Sequence, residues 1–398
     1  MTPYVNNNKN ILFHFDSLWG VGHLVRSARL LNGLADKFNC HAVSGHQAKS
    51  FLRDICTTTY LPQLSYSEDY SSLFSVDGTS VSESLDIRLE LCAKSFYQAK
   101  PDALIVEMFP YGRHALWQEI MAIFELCQKY SVPIYTSLRD IYIYPSEKNQ
   151  REQYLDNIIG VLNKFKIKTI IHSDPDFCSV DRAIPVELVD KNINCIFSGY
   201  VGRNKLPAPS CVTSEDGKIL RTAIGGGKKG VAVYKAALTL LDNAKEFKIL
   251  YVHCSQGFSL TNDMKKSIRS VSGKEVRFVE FSPEFAFRPL PSSDGWVVSG
   301  GYNTVMDVLS TGVPSLIIGL DQEQQTRAKL ISSKVTNIGV IDANASPKIM
   351  ANTWDKIKLQ SDGIDLNSPP KLDGSTITAD LLEKELSYDS AMHSCLSQ

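Results

Sequence analysis

Between Trp296 and Leu330 the chain reads WVVSGGYNTVMDVLSTGVPSLIIGLDQEQQTRAKL. A short apolar run, Trp296 to Val298, stops at Ser299-Gly300-Gly301. A helical pattern follows with Val305, Val308 and Leu309 on one face, and it ends at Thr311-Gly312. A second apolar run, Pro314 to Ile318, leads through Gly319 into another helix whose first turn holds Gln322 to Gln325. Strand, glycine turn, helix, strand, loop and helix in this order are the unit of a parallel α/β sheet. Glycines between strand and helix let a phosphate approach the backbone, and the helix N-terminus favours its negative charge. Open parallel sheets bind ligands at the carboxyl ends of their strands. The polar groups there, Ser299, Tyr302, Asn303, Thr304 and Asp307 at one end and Asp321, Glu323, Gln324 and Gln325 at the other, are candidate ligand contacts.

The pattern occurs twice. Residues 11–37 and 218–242 each read as strand, glycine turn and helix. A chain of 398 residues exceeds one ordinary core and suits two domains. The expected fold is α/β, two Rossmann-like doubly wound parallel sheets facing across a cleft. The boundary is expected in the Pro-, Ser- and charge-rich stretch 203–217, giving domains 1–203 and 204–398. The last helix, about 378–385, is expected to pack back on the first domain. The second domain opens on strand 218–224 and Gly225-Gly226-Gly227-Lys228-Lys229-Gly230. Three glycines between strand and helix suit an anion, with Lys228 beside it. The spacing is not that of a P-loop, which disfavours ATP hydrolysis, and no GxGxxG with a following acid supports a dehydrogenase.

Composition excludes several classes. Net charge is −1 with no Lys/Arg block, so nucleic acid is not an expected partner. The start lacks the charged and apolar regions of a signal peptide, and no run approaches the roughly 20 apolar residues of a membrane span. Nine cysteines are scattered without a CxxC pair, as reduced core thiols would be. No metal-ligand constellation stands out. The expected address is the cytoplasm, with peripheral membrane contact left open.

In the first half, strand 11–15 runs into the loop 16–22 and a helix from about His23 to Lys37. His23 at the helix start is either a cap packed on the loop or a base. As a base it would take a proton from a hydroxyl, and the positive helix end would keep it neutral. Strand 102–107 ends in Glu107-Met108-Phe109-Pro110-Tyr111-Gly112-Arg113, and strand 132–136 is followed by Ser137-Leu138-Arg139-Asp140. Glu107, Arg113, Arg139 and Asp140 are candidates for binding a ligand or orienting His23. Arg139 and Asp140 can equally hold their own loop. The helix from about 114 to 130 carries a stripe of Leu116, Ile120, Phe124 and Cys127, read as core. Residues 65–84, polar and aperiodic, are expected to be a loop on the acceptor side.

Several of these segments resemble one family. SGGYNTVMDVLSTGVPSLIIG…EQQTRA, GVGHLVR at Gly20 to Arg26, MFPYGR and LRD are similar to motifs of GT-B glycosyltransferases related to the enzyme that adds N-acetylglucosamine to make lipid II. The similarity is nearest to a bacterial branch with G-x-G-H-x-x-R and GGYNT…EQ…RA patterns. It implies a metal-independent, inverting transfer of a UDP-linked hexose or N-acetylhexosamine to an acceptor hydroxyl. The acceptor would be a glycan, a lipid-linked molecule or a small molecule, and no cofactor would be permanently bound. The resemblance makes His23 the general base and places Gly22 and Arg26 with Glu107, Arg113, Arg139 and Asp140 on the acceptor side of the first domain. On the donor side it places Gly225, Gly226, Gly227 and Lys228, then Ser299 to Thr304, at the diphosphate. Asp307 falls at the ribose-binding position, where the family has Glu. Glu323 and Gln324 fall at the sugar hydroxyls, and Arg327 either touches phosphate or packs. The backbone near Phe281 and Phe285 is the expected uracil contact. This chain departs from the pattern at Glu107 (usually Asp), Asp307 and Lys229 (usually Asp). Two alternatives share these motifs: a UDP-sugar hydrolase of the pseudaminic-acid-pathway type, and a non-catalytic nucleotide-sugar-binding protein.

Overall fold

A computed structural model describes residues 8–18, 20–67, 72–144, 148–191, 193–203, 218–225, 230–254, 273–288, 290–361 and 370–396. The expected hinge, from 204 onward, and Gly226, Gly227, Lys228 and Lys229 lie outside the described residues. The chain forms two compact units. One comprises residues 1–175, 179–201 and 373–398, and the other 176–178 and 202–372.

The first unit holds a parallel sheet in the order β3-β2-β1-β6-β7-β8-β9. Its strands are β1 (Asn10–His14), β2 (Asn39–Gly45), β3 (Thr57–Leu61), β6 (Ala103–Glu107), β7 (Ile134–Leu138), β8 (Lys168–Ile171) and β9 (Cys195–Phe197). The order steps outward from β1 in one direction and from β6 in the other, so the switch point lies between β1 and β6. All five residues of β6, Ala-Leu-Ile-Val-Glu, are buried, as expected of a central strand covered by helices on both faces. Leu12, Leu104, Val106, Ile120, Phe124 and Ile158 form the heart of the core, and the expected stripe Leu116, Ile120, Phe124, Cys127 is all within it.

Residues 65–84 are not one loop. The short strands β4 (Leu64–Tyr66) and β5 (Leu73–Ser75) pair antiparallel, and a helix starts at Val81 and runs to Ala99. Its N-cap Ser80 accepts from the Glu83 backbone N–H. Ser-x-x-Glu is a capping signal readable in the sequence, but it sits in a run of Ser and Asp that reads as loop.

The last helix spans Gly374–Leu396 and belongs to the first unit. It docks closely. A Cβ on Gly33 of helix Gly22–Leu34 would meet the Ser375 Cβ at 2.6 Å. Glu385 accepts from the Tyr135 hydroxyl at 2.5 Å and from Lys168 Nζ at 2.8 Å.

The second unit holds a parallel sheet in the order β12-β11-β10-β13-β14-β15. Its strands are β10 (Lys218–Gly225), β11 (Phe247–Cys254), β12 (Glu275–Glu280), β13 (Gly295–Ser299), β14 (Ser315–Ile318) and β15 (Ile338–Ile341). The switch point is between β10 and β13. Leu220, Leu240, Leu250, Val252, Val297, Leu316 and Trp354 pack on one another as its core. Each unit is therefore a doubly wound α/β domain. No disulfide joins cysteines among the described residues, and no helix there is long and apolar enough to cross a membrane.

Candidate functional site

At the switch point of the first sheet, β1 feeds helix Gly22–Leu34, and His23 is its second residue. Glu107 is the last residue of β6, the neighbouring strand. The strand order thus brings together two residues 84 positions apart. His23 Nδ1 lies 2.5 Å from Glu107 Oε1. Arg26, one turn along the helix and 1 % exposed, donates from Nη2 to the same oxygen at 2.5 Å. Arg113 donates to Oε2 from Nε at 2.9 Å and from Nη2 at 2.7 Å.

Burial works to raise the Glu107 pKa, but Arg113, His23 and Arg26 outweigh it and hold the carboxyl well below 4.5. An ionised carboxylate accepts, so Nδ1 of His23 carries the hydrogen and Nε2 the lone pair. Burial first, then Arg113, push the His23 imidazole down from 6.5 to about 4, against the pull of Glu107. The side chain keeps 21 % exposure. A neutral imidazole with a buried carboxylate behind it and its basic nitrogen turned away is the arrangement of a general base.

Arg139 follows β7 and also acts to lower the His23 pKa. Asp140 is 1 % exposed and Gly22 is exposed. His172, at the end of β8, was not singled out from the sequence. It is fully buried, with Nε2 2.8 Å from Ser137 Oγ and Nδ1 2.8 Å from Ser198 Oγ. Burial, then Arg26, lower its pKa to about 3. A histidine directly after a central strand was the available signal.

Beneath this cluster, Arg88 grips Glu119 with Nε and Nη2, both at 2.7 Å, and Asp16 at 2.8 Å. His14 Nε2 lies 2.8 Å from Glu119. His14, Cys92 and Glu119 are close enough to share a metal ion. The Arg88 guanidinium on Glu119 makes this a buried ion-pair network, since its charge opposes a cation.

In the second unit, Ser299, Gly300 and Gly301 lie where β13 gives way to helix Tyr302–Thr311, with Gly301 as N-cap. Gly300 allows a close approach, because a Cβ there would meet the Gln324 carbonyl oxygen at 2.6 Å. Tyr302 is buried, and Asn303 is half-buried. Gly225 is the last residue of β10.

Asp307 is held by a residue the sequence placed at the hinge. Arg203, 5 % exposed, donates from Nε and Nη2 to the two Asp307 oxygens at 2.9 Å each. Its Nη1 reaches the carbonyls of Phe285 and Arg288, and its guanidinium lies 5.0 Å from the Phe285 ring. Phe285 in turn lies 5.0 Å from the His253 ring, which stacks on Trp296 at 5.7 Å. Burial, then Arg221 and Arg203, lower the His253 pKa to about 4.

Arg327 is 1 % exposed and braces the turn, donating to the Gly300 carbonyl at 2.8 Å and to Glu323 at 2.6 Å. The Gln324 amide is turned onto its own helix start, 3.0 Å from Asp321. Asp321 caps that helix by accepting from the Gln324 N–H at 2.9 Å.

No protein-family model and no curated protein matches the sequence. Solved structures do match, glycosyltransferases among them. The glycosyltransferase of kitacinnamycin is 12% identical over 95% of this chain and 99% of that one, with a TM-score of 0.59. MurG of Acinetobacter baumannii is 10% identical over 94% and 99%, with a TM-score of 0.53. SsfS6 of Streptomyces sp. SF2575, complexed with thymidine diphosphate, is 14% identical over 96% of each, with a TM-score of 0.51. Likeness over whole chains at such low identity shows the fold, which is GT-B.

Proposed function

We propose that the chain is a glycosyltransferase that moves a sugar from a nucleoside diphosphate to an acceptor hydroxyl. The observation that carries this reading is the His23–Glu107 pair at the switch point of the first sheet, on a fold whose solved neighbours are glycosyltransferases. His23 Nε2 takes the acceptor proton as the oxygen attacks the anomeric carbon. The imidazolium so formed is stabilised by Glu107. The bond from the anomeric carbon to the diphosphate oxygen breaks, and a single displacement inverts that centre.

The leaving diphosphate gains a negative charge. The N-terminal end of helix Tyr302–Thr311, with the glycine turn before it, offers backbone N–H groups to that charge. Gly225 ends β10, and Gly226, Gly227 and Lys228, which follow it in the sequence, are the proposed second diphosphate contact. Asp307, oriented by Arg203, accepts from ribose hydroxyls, and the loop at Phe285 borders the base. Glu323, oriented by Arg327, accepts from sugar hydroxyls, with Gln324 beside it. The thymidine diphosphate in SsfS6 supports a nucleotide-sugar donor; uridine is the base the sequence motifs favour. Arg139 stands on the acceptor side, with Arg26 and Asp140 buried behind it, and the transfer needs no metal.

The test is a panel of UDP- and TDP-sugars incubated with the protein, with and without cell extract as acceptor source, repeated with His23→Ala. Nucleotide release that requires extract and collapses in the variant supports a transferase. Release in buffer alone makes the chain a hydrolase, with His23 activating water. Binding without release in either condition makes it a non-catalytic binder.

A further inference from the structure

Glu107 is contested from both sides. Oε1 receives His23 Nδ1 and Arg26 Nη2, while Oε2 receives the Arg113 fork. Arg26 comes from the same helix as His23 and needs no special backbone. Arg113 comes from a loop built for the purpose. Two non-glycine residues of that loop, Met108 (φ 62) and Arg113 itself (φ 67), are left-handed. Such conformations persist only where the surroundings over-determine them. The loop is pinned between them. Phe109 is fully buried and packs edge-on against Trp117 and Phe124. The Tyr111 hydroxyl lies 3.0 Å from Thr169 Oγ1, and its carbonyl accepts from Tyr154 at 2.7 Å. What this backbone delivers, at its C-terminal end, is a guanidinium on Glu107.

We propose that Arg113 is a positioning residue rather than an acceptor ligand: its fork fixes Oε2 and thereby the carboxylate plane, so that Oε1 faces His23 Nδ1 and the imidazole is locked with its lone pair on Nε2. The role rests on His23 being the base, but the geometry does not. A carboxylate held at one oxygen can rotate; held at both, it cannot. The fork matters as well as the charge, because a lysine supplies a point charge without two parallel N–H donors. The charged groups that act on His23 are Glu107 and Arg113 from the end of β6 and Arg139 after β7, and Arg26 on its own helix shares the Glu107 oxygen that His23 meets. His172 after β8 is itself acted on by Arg26, which lowers its pKa, and by Glu107, which raises it. Asp16, at the end of β1, is taken by Arg88. Arg113 therefore has two opposed effects on His23: it orders the pair, and it weakens the base.

The experiment is an NMR titration of the His23 ring nitrogens in the full chain, for wild type, Arg113→Met and Arg113→Lys. Wild type should show a single Nδ1–H tautomer. Arg113→Met should raise the proton affinity of His23 at least tenfold and mix the tautomers. Arg113→Lys should shift the affinity less than threefold yet still mix the tautomers, which separates fork from charge. Should Arg113→Met fail to fold, Arg113→Gln, which keeps a donor amide, takes its place. Tautomer purity unchanged in both substitutions would overturn the proposal and return Arg113 to the acceptor side. Because no sugar is involved, failure of the transferase reading would leave this result standing.

Discussion

The two units solve the same problem in different ways. Each presents a carboxylate at the carboxyl end of a parallel sheet and fixes it with arginine. In the first unit, Arg113 takes Oε2 of Glu107, and Arg26 shares Oε1 with an imidazole that is 21 % exposed. In the second, the arginine faces the carboxylate directly. Arg203 forks Asp307, and Arg327 grips Glu323. In the proposed reading the first arrangement serves a base, whereas the second serves a rigid frame of acceptors. Arginine near an acid thus says little by itself; what the acid's other side faces decides the role.

That contrast is open to attack in order of effect. The largest expected effect is on turnover. Removing a general base costs about 10²–10⁴-fold, so His23→Ala should lose that much nucleotide release while its unfolding midpoint stays within a few degrees. Loss of folding instead would make His23 a packing residue.

Arg203→Ala comes next. It leaves Asp307 without its fork and two carbonyls without a donor, a loss of about 3 kcal/mol in urea unfolding. Arg203→Lys should recover only part of it, since lysine cannot form the fork. Full recovery by lysine would show that only charge matters there.

Acid should act on both units at once. His23, His172 and His253 have folded-state pKa values of about 4, about 3 and about 4, below the ordinary 6.5. All three are depressed by burial, so unfolding on acidification gains protons that the folded state refuses. Stability is then present above pH 6.5 and is lost as pH falls from there through the folded values. The loss should be about 1 kcal/mol per imidazole between pH 7 and pH 5.5. Equal urea midpoints at the two pH values would contradict neutral, buried imidazoles. The smallest effect belongs to Asp307→Glu, which gives the longer acid that the sequence resemblance implies at this position. Crowding the Arg203 fork by one methylene should cost about 1 kcal/mol, and nucleotide affinity should change less than tenfold by calorimetry.

Much of this was legible in the chain. Glycine turns between apolar runs announced both doubly wound sheets, since strand, turn and helix signals are local. His23 could be placed at the helix start after the first strand and Glu107 at a strand end, and parallel-sheet topology brings such positions to one edge of the sheet. The contact between them, and its clamping by Arg26 and Arg113, depends on the order β1-β6, which no local pattern states. Arg203 was hidden because it follows Gly202 at the edge of a Pro- and Ser-rich stretch. Its partners are Asp307, Phe285 and Arg288, a pairing across some hundred residues that spacing cannot reveal. Helix Val81–Ala99 was missed although Ser80 and Glu83 mark its start, because the polar run around them favours loop.

The central claim is that His23 serves the chemical step and not the binding of the donor. One measurement addresses it directly: nucleoside-diphosphate affinity by calorimetry and sugar transfer by product analysis, both on wild type and His23→Ala. The account predicts affinity within twofold and transfer reduced by about a hundredfold or more. Wild-type transfer by His23→Ala, or loss of nucleotide affinity equal to the loss of transfer, would contradict it.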